Sequence, residues 1–182
     1  MSTAIALLSI ALAACVAYLV IRAVGGVYLR YRGTRVIRCP ETQQPAGVHL
    51  DLKHAAGTAL RGATELRLDA CSRWPERRKC GQECLSQIEE SPEDCLVRVM
   101  FVKWYADKDC VCCGKPIGEI HLTDHRPALL NPSGRLVEWQ EVAPENLPAV
   151  LSSHRPVCWN CLVVQRMIGE HPELVVDRSR RA

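Results

Sequence analysis

Aromatic side chains are scarce in this chain. One Phe, four Trp and four Tyr make up 5% of its 182 residues, too few for a core of stacked rings. A Gly-rich phosphate loop, internal repeats and low-complexity tracts are absent, which excludes a P-loop nucleotide hydrolase and repeat architectures. The net charge of +3 is too small to argue for a nucleic-acid footprint. No complete catalytic constellation is present either, and a non-enzymatic role is expected.

What the chain does have is eleven cysteines. A small domain poor in aromatics and rich in Cys is usually held together by disulfide bridges or metal ions. Which of the two applies depends on the redox compartment, and the N-terminus bears on that.

The stretch "AIALLSIALAACVAYLVI", Ala4 to Ile21, carries no charge, and roughly 18 to 20 such residues can cross the hydrocarbon layer as a helix. Nothing basic precedes it, whereas Arg22, Arg30, Arg32, Arg35 and Arg38 follow with no acid among them. By the positive-inside rule the N-terminus lies outside and the rest in the cytoplasm, as a single-pass protein of the cell membrane. Tyr28 and Tyr31 suit the headgroup region. "LAAC", residues 12 to 15, matches the lipoprotein signature and would make Cys15 an acylation site. The missing basic n-region and the apolar "VAYLVI" that follows oppose cleavage there. Cys15 is read as a small apolar residue of an uncleaved anchor. In a reducing cytoplasm, paired cysteines become metal ligands or catalytic thiols.

Five segments are expected: an anchor over 1–24, a basic connector over 25–38, a Cys-containing α+β lobe over 39–107, a zinc-binding lobe over 108–172 and a basic tail over 173–182. Strands are expected at "RVIRC", "VHLDL" and "LRLDAC", weak helix at "KHAAGTALRGATE" and a short helix at "GQECLSQIEES". "SPEDCLVRVMFVKWYADK" reads as a long buried helix capped by Ser91, with Cys95 in its core stripe. "NPSG" turns a hairpin, "APENLPAVLSSHRP" is a Pro-bearing loop, and "VCWNCLVVQRMIGEHPEL" is a helix.

Cys110 and Cys113 form one C-x2-C pair, and Cys158 and Cys161 form a second after 44 intervening residues. That spacing lets a tight turn aim two thiolates at one ion, and zinc takes four of them in a closed tetrahedron. Gly114 supplies the positive φ that such a knuckle needs, and this register leaves Cys112 outside the ligand set. A knuckle at "CVCCG", a hairpin and a helix opening at "CWNC" resemble the treble-clef zinc finger over residues 110 to about 170. The fold class that this implies is α+β: one transmembrane helix, then a small metal-stabilised domain ending in a treble-clef-like finger.

"TDHRP" at 123 to 127, with Asn146 and the second Cys pair, also resembles the HNH nucleases, which are built on treble clefs. That resemblance implies His125 as general base, Asn146 as its orienting residue and Asp124 as a ligand to a divalent ion. The final ligand of the family should follow the second Cys pair, where this chain has Leu162 and Val163. Asp124 and His125 are therefore read as a solvated turn. His121 and His125 would stand about 13 Å apart in an extended segment, too far to share an ion.

Cys39, Cys71, Cys80 and Cys84 are the candidates for a second site. They take zinc or, as an alternative, an iron–sulfur cluster. His49 and His54 are read as ordinary surface or core residues, and Arg73, Arg77, Arg78 and Lys79 beside Trp74 as a solvated basic loop. The function expected is a membrane-anchored zinc-binding module that binds a protein partner or assembles a membrane complex. A tethered redox protein is the first alternative and a degenerate HNH-like fold the second.

Overall fold

The computed structural model describes residues 2–76, 80–120 and 126–172. The chain divides into two compact units, Met1–Val97 and Arg98–Ala182.

The first unit opens with helix α1 (Ser2–Tyr31). Its Thr3–Tyr31 portion is long and apolar enough to cross a membrane, and none of its most apolar part is buried by the described residues. The helix runs on through Gly25-Gly26 into the basic stretch expected to be a connector. Its end is fixed by Arg35, whose side chain is wholly buried. The guanidinium donates to the carbonyl oxygens of Arg30 at 2.8 Å, of Gly33 at 3.2 Å and of Tyr31, and lies over the Tyr31 ring. These include carbonyls that a helix C-terminus leaves without partners, and a cation suits the negative end of its dipole. Gly33, at φ +103°, then turns the chain into the sheet.

Strands β1 (Arg35–Arg38), β2 (Pro45–Leu50) and β3 (Leu68–Cys71) form an antiparallel sheet in that order. Helix α2 (Leu52–Ala59) follows β2 and contacts α1. It is capped by Asp51, whose carboxylate accepts the His54 N–H at 2.9 Å. Helix α3 (Leu85–Glu90) is pinned to the end of β1 by Gln87, which accepts the Arg38 N–H at 3.0 Å and donates to its carbonyl at 2.7 Å. The core beneath is small: Ile37, Ala46, Val48, Leu50, Leu68, Cys84 and Ile88.

The long helix expected from Ser91 is shorter. Residues 92 to 95 are turns, and helix α4 covers only Val97–Tyr105. Strand β1 takes the intervening backbone. Leu96 bridges Arg35, the Val36 N–H donates to Cys95 O at 2.8 Å, and the Val97 N–H donates to Thr34 O at 3.1 Å. Pairing with the strand thus wins over the local helix-start signal, and Cys95 lies half-buried outside any helix.

The second unit contains β4 (Ala128–Leu130), β5 (Leu136–Glu138), α5 (Leu147–Ser153), β6 (Arg155–Val157) and α6 (Trp159–Glu170). Its antiparallel sheet has the order β5-β4-β6. The "NPSG" hairpin forms as expected. Asn131 Oδ1 accepts the Arg135 N–H and the Ser133 hydroxyl, both at 2.8 Å, and Gly134 takes φ +83°. Phe101 packs on Trp139 with centroids 5.5 Å apart, and Tyr105 donates its buried hydroxyl to Ala128 O at 2.6 Å. Trp104 Nε1 donates to Leu151 O at 2.7 Å. The expected loop "APENLPAVLSSHRP" carries structure: a 3-10 turn at Pro144–Asn146, then α5. Its end becomes β6, a strand formed by pairing with β4 rather than by local pattern.

Candidate metal centre

The site grows from two backbone devices. The first is a knuckle. Asp109 bridges Pro116, the Cys110 N–H donates to Lys115 O at 2.9 Å, and the Ile117 N–H donates to Lys108 O at 3.0 Å. At the tip the Gly114 N–H closes on Cys110 O at 2.8 Å, with Gly114 at φ +69°, a conformation that suits glycine. The second device is the helix start. Strand β6 leads into Cys158, which is the N-cap of α6 and places Cys161 in its first turn. One bond joins the two devices: the Val111 N–H donates to Pro156 O at 3.0 Å.

The Sγ atoms of Cys110, Cys113, Cys158 and Cys161 all lie within 4.8 Å of one another. Cys113 Sγ and Cys158 Sγ are 3.8 Å apart, and a tetrahedron with arms of 2.3 Å has edges of about 3.8 Å. Cys110 is buried at 1% exposure, Cys158 and Cys161 are half-buried, and Cys113 reaches the surface. A cleft of about 560 Å3 runs past Cys113, Trp159 and Cys161, so ions and chelators have a path to the sulfurs.

Electrostatics at the four thiols pull in opposite directions. Burial acts to raise Cys110, but the N–H groups of Cys158, Cys113 and Cys112 outweigh it and hold that thiol down at about 6. The Cys158 N–H lies 3.2 Å from Cys110 Sγ. Burial first, and then the crowding of Cys158, Cys113 and Cys110, pushes Cys161 well above the ordinary thiol range. Four sulfurs this close cannot all carry charge unaided. A divalent cation between them removes the conflict, and an all-sulfur tetrahedral set suits a soft, thiophilic metal. The residues present therefore fit such an ion.

Cys112 is exposed and outside this set, though burial and the neighbouring Cys110 push its thiol up. The other four candidates come together around a different point. Cys39, Cys71, Cys80 and Cys84 line one small cavity with Trp74. Burial first, and then Cys80, Cys71 and Cys39, push the Cys84 thiol up to about 11. Their spacing is looser: among the described residues, only the C-terminal four have ligand atoms all within 4.8 Å.

His49 Nε2 meets Thr34 Oγ1 at 3.3 Å, and His54 Nε2 lies 3.7 Å from Glu65. His121, Asp124 and His125 fall outside the described residues, as do Arg77, Arg78 and Lys79. Asn146 is exposed at the start of α5. Leu162, one of the two positions where a nuclease would carry its final ligand, packs into the core with Cys110, Ala128 and Val157. Sequence reasoning expected amides of the second pair's helix start to bond sulfur; what it missed is that they reach across to Cys110 and that the knuckle's own backbone joins them. The N–H donors to Cys110 and the Val111–Pro156 bond leave no side-chain signature.

Comparison with protein-family models, with curated proteins and with solved structures found no match.

Proposed function

We propose that this chain is a membrane-anchored, cytoplasmic zinc module that binds a protein partner or helps assemble a membrane complex, rather than an enzyme. The convergence of four thiols from a knuckle and a helix start within 4.8 Å carries this reading. Four protein ligands close a tetrahedron and leave no position for substrate or water, which is the pattern of structural rather than catalytic zinc. Sulfurs all within 4.8 Å, with Cys113 and Cys158 at the 3.8 Å edge length of a mononuclear site, favour one ion over an iron–sulfur cluster.

The order of knuckle, β4–β5 hairpin and Cys-led helix α6 supports a treble-clef-type finger. A membrane position is supported by the apolar Thr3–Tyr31 helix and by the arginines that follow its apolar core, with the N-terminus outside. Nucleic acid is disfavoured by the small net charge.

Metal analysis of the full chain in detergent, paired with its visible spectrum, tests this. Zinc bound to a colourless protein is expected, with one ion per chain lost in Cys158→Ser. Iron and sulfide with broad visible absorbance instead point to the tethered redox protein. A reporter fused after Ala182 should be active only in its cytoplasmic form. Plasmid cleavage with added divalent ions by the full chain would revive the HNH-like reading.

A further inference from the structure

We propose that Cys39, Cys71, Cys80 and Cys84 bind a second single thiophilic metal ion, one that closes the end of the first unit's sheet. Strands β1 and β3 both run antiparallel to β2, so their C-terminal ends leave the sheet on the same side. Cys39 directly follows the last residue of β1, and Cys71 is the last residue of β3. Cys84 is the N-cap of α3, with Cys80 four positions before it. Three elements that lie far apart in the chain therefore each direct a sulfur to one cavity.

Backbone chemistry around these thiols repeats that of the C-terminal centre. There, N–H groups of Cys112 and Cys113, two and three residues on, point at Cys110. At the second set, the N–H groups of Glu41 and Thr42 do the same for Cys39, and those of Arg73 and Trp74 for Cys71. The Gln82 N–H lies 3.4 Å from Cys80 Sγ. Hydrogen bonds to sulfur from residues just downstream favour the thiolate that a metal needs; they hold Cys39 down, whereas burial outweighs them at Cys71 and pushes that thiol up. The cavity measures about 20 Å3, room for about one water-sized occupant. That suits one ion better than the several irons and sulfides of a cluster. Binding would draw the sulfurs to about 3.8 Å from one another.

The inference extends the metal-binding reading to the other unit and does not depend on the first centre. The test uses the full chain in detergent, loaded with zinc and counted by elemental analysis. Two ions per chain are expected in the wild type and one in Cys80→Ser. Cys158→Ser should also lose one, and it reports on the first centre alone. Because Cys80→Ser could fold poorly, maleimide mapping of the wild type gives a second readout. Cys39, Cys71, Cys80 and Cys84 should resist modification until a chelator is added. One ion per chain in the wild type that is lost in Cys158→Ser, an unchanged count in Cys80→Ser, free reaction of these thiols without chelator, or disulfides among them would each overturn the proposal.

Discussion

The two units are built alike and held differently. Each has a three-stranded antiparallel sheet, a limited set of buried apolar residues, and four cysteines near one point. In the unit Arg98–Ala182 those cysteines come as two C-x2-C pairs, each placed by its own turn. In the unit Met1–Val97 they come from separate strand ends and a helix start. The paired set lies within 4.8 Å, whereas the scattered set surrounds a cavity. Local spacing brings four thiols together by itself; thiols brought by tertiary structure alone end up farther apart. The difference between 4.8 Å and a looser ring is what that distinction looks like.

Metal removal should break the comparison most visibly. Structural zinc contributes on the order of 10 kcal/mol to small domains, as much as the whole stability margin of many. Cys158→Ser, or chelation of the wild type, should unfold the second unit, seen as loss of amide protection from Arg98 onward. Cys112→Ser, which lies outside the ligand set, should leave that protection unchanged. Equal damage from the two variants would mean that the pairs were chosen wrongly.

Truncating core side chains compares how much each unit draws from burial. Phe101 and Ile88 are both 0% exposed, one in each unit. Phe101→Ala should cost about 3–5 kcal/mol and Ile88→Ala about 2–5 kcal/mol, read by chemical denaturation with metal present. If Ile88→Ala unfolds the first unit outright while Phe101→Ala is tolerated, the metal rather than the core carries the second unit.

The C-terminal site was legible in the sequence because its information is local: Cys-x2-Cys, a glycine after the knuckle, a helix after the second pair. The hairpin was legible for the same reason, Asn131 and Gly134 being turn residues at a fixed spacing. The rest was hidden where pairing is non-local. Strand β6 is three residues long and exists through β4. The expected helix cap at Ser91 lost to β1, which claims Cys95 and Val97. The end of α1 could not be placed from its own residues: the anchor was expected to stop at residue 24, and the helix runs on to Tyr31. A buried Arg35, beyond the helix, sets that end.

Arg35 gives the next prediction, of middle size. Arg35→Met keeps length and apolar bulk but removes the donors to Arg30, Tyr31 and Gly33. Leaving those carbonyls without partners should cost about 1–3 kcal/mol. Amide exchange should rise at the end of α1 and across β1, while the second unit is unchanged. An effect confined to the second unit would contradict the role given to Arg35.

The smallest effect separates a buried tie from an exposed one. In the second unit, Tyr105 joins α4 to β4 by its 2.6 Å bond to Ala128 O, at 1% exposure. Burial, and then Cys110, pushes its phenol far above the ordinary range, so the hydroxyl stays a neutral donor at any workable pH. In the first unit, Gln87 joins α3 to β1 by two bonds to Arg38, both at the surface. Water can replace the partners that Gln87 offers but cannot reach Ala128 O, so one buried bond should outweigh two exposed ones. Tyr105→Phe keeps the ring and should cost about 1–2 kcal/mol, whereas Gln87→Ala should cost no more than about 1 kcal/mol. Urea denaturation of the metal-loaded protein, with each unit followed by its own amide signals, measures both. A larger loss from Gln87→Ala would show that the first unit, for all its looser thiols, depends on its α3–β1 junction more than the second depends on its core hydroxyl.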